Sequence, residues 1–300
     1  RQTSAMASSD VSAGTSDAGR MVLIGAACAA AGAAAGVAIA RAWARRSHGK
    51  GAGAKPAWYR EQRTSGMSDA LHEYCVKVGT RLTPQHLKIS DYTNKLGGIS
   101  RMCVSADEGQ FLETMAKIVS ARNVVEVGCF TGYGTLSLAL GTKERVYTLD
   151  IADDHLAQAR AQWDAAGVGE RVEHVKGPAV RSMRLIRALG FSKDAAAAVR
   201  AGMDGGAVAG AAGEGQAQLV FVDADKASYA AYVEHAFHLL ERGGLCVVDN
   251  TIWSGRVIAA EFADADTTAI RKLNEDLKDD TRWDICLLPL ADGVTVLRKR

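Results

Sequence analysis

The sequence lacks the short motifs by which cysteine, basic clusters and nucleotide loops announce themselves. Its six cysteines are Cys28, Cys75, Cys103, Cys129, Cys246 and Cys286. None forms a CxxC pair, and none has a histidine at zinc-finger spacing. A disulfide scaffold is therefore set aside, and free thiols acting as small apolar residues in a reducing compartment are expected. The formal net charge is only +2. No basic stripe with interleaved aromatics occurs, so nucleic-acid binding has no support. GxGxxG spacing and Walker lysine chemistry are missing as well, which counts against a dinucleotide or a P-loop nucleotide. What is present is ordinary globular composition: 300 residues, 48% hydrophobic and 23% charged. That length buries a real core, in one large domain with an appendage or in two small ones.

The first 20 residues are rich in Ser, Ala, Gly and Asp and are expected to be disordered. The chain opens on Arg1 rather than Met, as a fragment or a processed form would. Residues 21–40, MVLIGAACAAAGAAAGVAIA, carry no charge and have the length of one membrane crossing. Arg41, Arg45, Arg46, Lys50 and Lys55 follow. Under the positive-inside rule that flank stays cytosolic, giving a membrane-anchored protein whose catalytic domain faces the cytosol. A cleaved organelle-targeting peptide and a plain flexible linker are the alternatives, the domain then being organelle-targeted or cytoplasmic after processing. Residues 41–66 read as a basic linker.

From residue 67 onward the pattern is that of one domain, 67–300. Helices are expected near 68–79, 84–96 and 107–121. Strands at 123–128, 145–150, 171–177, 218–225 and 244–250 then alternate with helices at 134–141, 153–166, 179–189, 226–240 and 266–279. Residues 191–217, with GGAVAGAAGEG, read as a low-complexity surface insertion. WDICLLPL and VTVLRK flank Asp292 and Gly293, a hairpin signal. Alternation of this kind predicts an α/β fold: a mostly parallel sheet, helices on both faces, closed by an antiparallel hairpin strand. That is the Rossmann-like architecture of class I methyltransferases.

Ligands bind such sheets at the carboxyl ends of the strands. At the first end, EVGCFTGYGT, Gly128, Gly132 and Gly134 are expected to let the backbone approach a ligand. Glu126, a carboxylate inside a buried strand, calls for a hydroxyl or cationic partner. Asp150 ends the second strand about twenty residues further on, where an acid accepts from ribose hydroxyls, unless it is a plain loop aspartate. Asp223 and Asp225 end the fourth strand; Asp249 and Asn250 end the fifth. Asp223, Asp249 and Asn250 on neighbouring strands give three hard oxygen donors that suit Mg²⁺. Lys226 opens the next helix, where the dipole and a nearby cation favour a neutral amine and hence a general base. The plain alternative is a surface lysine paired with Asp225.

Together these residues resemble the cation-dependent O-methyltransferases, the family of caffeoyl-CoA and catechol O-methyltransferases. VSADEGQFL, VEVGCFTGYGTLSLAL, FVDADKASYAAY, GGLCVVDNTIWSG and RKLNEDLKDDTRWDICLLPLADG look like that family's blocks, in its order, over roughly residues 68–300. With the uncharged segment ahead of it, the chain looks most like the membrane-anchored, catechol-O-methyltransferase-domain-containing branch. The resemblance implies S-adenosyl-L-methionine as cofactor and a divalent cation, Mg²⁺ first, Ca²⁺ or Mn²⁺ otherwise. It implies that Asp223, Asp249 and Asn250 hold the cation and that Lys226 is the base. It also implies that Glu126 and Asp150 hold the cofactor, that Val104, Gly128, Cys129, Gly134 and Ala179 line it with Asp223 beside them, and that Asp225 and Trp253 face the acceptor.

A small phenolic acceptor and a homodimer are implied too. Gly134 stands where that family often has serine. The loop after Trp253 lacks the tyrosines of plant caffeoyl-CoA enzymes, which counts against a CoA-thioester acceptor. A catalytically silent, membrane-tethered cofactor-binding protein and an NAD-dependent oxidoreductase are the rival readings.

Overall fold

The computed structural model describes residues 67–203 and 215–300. The expected disordered tail (1–20), uncharged segment (21–40), basic linker (41–66) and part of the expected insertion (204–214) lie outside the described residues. Among the described residues, no helix is long and apolar enough to cross a membrane. The described cysteines, Cys75, Cys103, Cys129, Cys246 and Cys286, are all free.

Three helices come first: α1 (Asp69–Gly79), α2 (Pro84–Asn94) and α3 (Ala106–Ile118). Then follow β1 (Asn123–Val127), α4 (Tyr133–Gly141), β2 (Arg145–Asp150), α5 (Leu156–Ala165), β3 (Val172–Lys176) and α6 (Ala179–Leu189). The chain continues through α7 (Lys193–Met203), β4 (Ala217–Val222), α8 (Tyr229–Leu239), β5 (Leu240–Val248), α9 (Ala265–Asp279), β6 (Trp283–Leu288) and β7 (Val294–Lys299). The strands form one sheet in the order β3-β2-β1-β4-β5-β7-β6. Strands β1 to β5 are parallel, while β7 runs antiparallel to both β5 and β6. This is the doubly wound sheet with a closing hairpin that the alternation predicts.

Side-chain alternation divides the core between the two faces. Val125, Val127, Tyr147, Leu149, Val220 and Val222 point to one face, where α6, α7, α8 and α9 pack. Val124, Val146, Leu219 and Phe221 point to the other, against α2, α3, α4 and α5. Glu126, between Val125 and Val127, therefore faces α4.

Two expectations need correction. Residues 193–203, within the expected insertion, form a packed helix rather than a low-complexity surface segment: Ala195, Ala196 and Val199 are buried, and Ala196 and Val199 join the core. An alanine-rich run reads as low complexity, yet alanine is the best helix former and packs closely. The fifth strand begins at Leu240, directly after α8, rather than at 244. Its polar start, Glu241-Arg242-Gly243, hides it, and the pairing with β4 shifts register there.

If α7 is a packed helix, Val199→Asp should destabilise the protein by about 3 kcal/mol by burying a charge. Ala197→Asp, on the exposed side of the same helix, should change little. Denaturant unfolding of both variants tests this, and equal stability would return the segment to a surface loop.

Candidate active site

Parallel pairing sets the strand ends level. Val127 pairs with Leu149 and with Val222, and Val222 pairs with Val248. Gly128, Asp150, Asp223 and Asp249 therefore emerge at one edge of the sheet. The Asp223 amide donates to Val127 O at 2.8 Å, and the Asp249 amide to Val222 O at 3.0 Å. Gly128 has φ +103°, and a Cβ there would lie 2.0 Å from the Asp223 carbonyl oxygen. Gly132, at φ +82°, sits against Trp163 and Ala159, where a Cβ would come within 2.7 Å of each. The protein's own packing thus already requires these glycines, apart from any ligand that approaches the turn. Gly134 is similar: a Cβ would meet Glu126 Oε1 at 2.6 Å and Val104 Cγ2 at 3.3 Å.

Glu126 finds its partners inside the protein. Thr135 on α4 and Thr148 on β2 both donate hydroxyls to its Oε2, Thr148 at 2.6 Å. Burial pushes its carboxyl up to about 8, against the pull of those two hydroxyls. Asp150 is engaged too: Oδ2 accepts from the Cys129 amide at 2.8 Å and the Phe130 amide at 3.0 Å. Its Oδ1 accepts from the Ala152 amide at 2.9 Å. Both acids brace the glycine turn, and each carboxylate retains further acceptor sites. Buried Cys129 adds its amide to this turn, and burial pushes its thiol up to about 12. Val104 is buried beside it, and half-buried Ala179 opens α6 just past the end of β3.

Lys226 occupies the centre of the edge. It is buried, and a short helical turn, Lys226–Ser228, rather than a regular helix, begins on it. Its Nζ donates to Asp223 Oδ1 at 3.1 Å, Tyr229 Oη at 2.6 Å and Asn250 Oδ1 at 2.5 Å. Nζ lies 4.8 Å from the Tyr229 ring centre and 5.6 Å from that of Trp253. A surface pair with Asp225 is overturned: Asp225 is exposed and accepts from the Tyr232 hydroxyl instead. Asp225 thus stands outside the hydrogen-bonded group around Lys226.

Two of the three expected cation donors share a centre. Asp223 and Asn250 both aim an oxygen at one positive centre, here the ammonium of Lys226. Asn250, at φ +60°, turns sharply after the buried Asp249, whose Oδ1 accepts the Asn250 amide at 2.5 Å. Burial first, and then the charge of Asp223, push the Asp249 carboxyl up. A hard cation would relieve that crowding, so the donor set suits one. Among the described residues no three His, Cys, Asp or Glu side chains cluster as metal ligands. The set therefore rests on two carboxylates and an amide oxygen.

The sequence reading missed three residues. Glu108, on the first turn of α3, is 1% exposed. Burial first, then the charges of Asp249 and Asp223, push its carboxyl well up. In the sequence it looks like a helix cap. Asp292, at the β6–β7 hairpin tip, holds the loop after β5: its carbonyl accepts from the Ile252 amide at 3.0 Å and the Trp253 amide at 3.2 Å. Arg271 on α9 staples the same loop by donating to the carbonyls of Arg256 (2.7 Å), Val257 (2.9 Å), Phe262 (2.7 Å) and Ala259. A charged depression lined by Glu275, Asp276, Asp279, Asp280 and Arg282 lies at the end of α9 where β6 starts, the opposite edge of the sheet.

A family model described as O-methyltransferase matches residues 82–190 and 207–300. It passes over residues 191–206, and so over the whole of α7. A caffeoyl-CoA O-methyltransferase of Eucalyptus gunnii is 31% identical over 242 residues, covering 77% of this chain and 88% of that one. Caffeoyl-CoA O-methyltransferase 1 of Arabidopsis thaliana is 30% identical over 241 residues, covering 77% and 85%. Among solved structures, an O-methyltransferase from Bacillus cereus in complex with SAH superposes with TM-score 0.62 at 25% identity, covering 77% of this chain and 97% of that one. The O-methyltransferase TomG from Streptomyces achromogenes, in complex with SAM, reaches 0.64 at 22% identity, covering 80% and 99%, a likeness of fold.

Glu126 gives a pH dependence of known sign. Its carboxyl is held at about 8 in the folded protein against 4.5 ordinarily. The stability it adds is full below about 4.5 and is lost as pH rises through about 8. Glu126→Gln keeps the neutral shape and should flatten the loss of unfolding free energy over that window, by up to about 1.4 kcal/mol per pH unit. Denaturant titrations between about pH 5 and pH 8 read this. Parallel slopes for variant and wild type would remove Glu126 as the titrating group.

Proposed function

The chain belongs to the O-methyltransferase family, and on that premise we propose that it transfers a methyl group from S-adenosyl-L-methionine to a hydroxyl of a catechol-like or other phenolic small molecule. The proposed reaction uses a divalent cation, Mg²⁺ in the first place, held by Asp223, Asp249 and Asn250. The observation that carries the reading is the buried Lys226 ammonium, gripped by Asp223 and Asn250 at the edge where parallel-sheet ligands bind. The SAM- and SAH-bound relatives support the cofactor.

When bound, the cation supplies a positive centre that lowers the pKa of an acceptor hydroxyl. The cofactor supplies a sulfonium methyl. With the cation taking up the oxygens of Asp223 and Asn250, Lys226 would act as the neutral amine, accept the hydroxyl proton on Nζ and become the ammonium. Tyr229 Oη, 2.6 Å away, keeps that nitrogen in place. The acceptor O–H bond breaks, an O–CH₃ bond forms and the C–S bond to the sulfonium breaks, leaving a neutral thioether. Trp253, whose Nε1 is buried without a partner, offers an aromatic wall to a planar acceptor. Glu126 and Asp150 keep the glycine turn in shape for the cofactor. The uncharged 21–40 segment and its basic flank support a membrane tether with the domain on the cytosolic side. The resemblance supports a homodimer.

The test is labelled methyl transfer by the full chain over catechols, flavonoids and phenolic acids, with and without Mg²⁺. Lys226→Ala should keep near-normal cofactor binding and lose about 10²-fold or more in turnover, as for a lost general base. Wild-type turnover in that variant removes Lys226 as the base. Asp249→Ala and EDTA should each abolish activity; transfer that survives EDTA sinks the cation.

A further inference from the structure

Glu108 is the buried charge that the reaction above leaves unused. Ser105-Ala106-Asp107-Glu108 has the spacing of a capping box. The box is not made. The Ser105 hydroxyl donates to Asp107 Oδ1 at 2.6 Å, and no side chain caps α3. Both Glu108 carboxylate oxygens are buried with no hydrogen-bond partner among the described residues. Around it stand only like charges: Asp249 first, then Asp223 and Asp107. Asp249 can bond to it only while one of the two carboxyls keeps a proton.

A carboxylate buried without a donor is costly, and a glutamine or a leucine would fill the space at less cost. Asp223, Asp249 and Glu108 set three potential negative charges against the single ammonium of Lys226. The missing partner is positive. The first turn of α3 also borders the glycine turn, since Val104, just ahead of it, has its Cγ2 3.3 Å from where a Cβ on Gly134 would stand.

We propose that Glu108 is the receptor for a positive charge brought in by the bound ligands, the third carboxylate of the site beside Asp223 and Asp249. The proposal rests on the reaction proposed above, which brings three such charges: the divalent cation, and the sulfonium and the α-ammonium of the cofactor. The ammonium is the favoured source, because of the three it alone presents N–H donors to the two unpaired Glu108 oxygens, while Asp223, Asp249 and Asn250 already offer oxygens for a cation. Glu108 then orients the amino-acid end of the cofactor, while Asp223, Asp249 and Asn250 serve the metal.

Glu108→Gln in the full chain tests this, because it removes the charge and keeps the shape. Calorimetry would use SAH, an SAH analogue lacking the α-amino group, and Mg²⁺ alone. Expected is a loss of roughly 10- to 100-fold in SAH affinity, as for a lost charge-assisted hydrogen bond. Unchanged Mg²⁺ binding, and equal affinity of wild type and variant for the deaminated analogue, should accompany it. The Tm of the ligand-free variant should hold or rise, since a buried carboxyl without a donor is replaced by a neutral amide of the same shape. A loss confined to Mg²⁺ supports the receptor role and names the metal as the source. Wild-type affinity for both ligands overturns the role, and so does a fall in ligand-free Tm that accounts for both losses. A wild-type chain that binds neither SAH nor Mg²⁺ overturns the proposed reaction and Glu108 with it.

Discussion

Like charges crowded into a low-dielectric sheet edge are the constraint on which the rest depends. Asp223, Asp249 and Glu108 meet where β4, β5 and α3 end or begin, and only Lys226 offsets them directly. Coulomb repulsion between buried carboxylates is severe, and such a group persists only if the scaffold holds it. The scaffold is backbone. The Asp223 amide is tied to Val127 and the Asp249 amide to Val222. Gly128 is pressed so closely against the Asp223 carbonyl that no side chain fits between them. The turn braced by Glu126 and Asp150 and the turn that bears Asp223 are thus one rigid unit, and a shift in either is felt in both.

Much of this was legible in the sequence because the signals were local. The alternation of apolar strands with amphipathic helices gave the sheet, and strand ends rich in acids gave the site. The Asp292-Gly293 pair marked the closing hairpin. Signals that depend on three-dimensional neighbours were not legible. The glycines of the first turn read as space for a ligand, while in the fold they answer to Asp223, Trp163 and Glu126. Glu126 was rightly suspected of needing a hydroxyl, but its partners, Thr135 and Thr148, come from this chain. Lys193–Met203 lies in a segment that the family match skips, as an insertion would, yet it looked like low-complexity surface chain because composition does not reveal that one alanine-rich face meets a core. Glu108 drew no notice, since an acid in the first turn of a helix is ordinary, and only its unmade bonds set it apart.

The loop carrying Trp253, proposed above to face the acceptor, is held from several directions. Asn250, Trp253 and Ser254 all adopt left-handed backbone, a costly run for residues other than glycine. Such backbone persists when the surroundings over-determine it. Here the Arg271 guanidinium gathers four loop carbonyls, Asn274 donates to Thr251 O at 2.8 Å, and the hairpin tip takes the Ile252 and Trp253 amides. The same hairpin supplies β7, which pairs with β5 in the middle of the sheet.

That arrangement sets an order of assembly. The cofactor side, from α3 to β4, draws on neighbours made early in synthesis. The loop beyond Asn250 takes most of its anchors from residues 271 to 295, and β5 gains its second neighbour only when β7 arrives. During translation the chain therefore holds a turn able to grip a ligand before it has a wall to receive a second one. The two halves become one catalyst only as the last strand slides between β5 and β6.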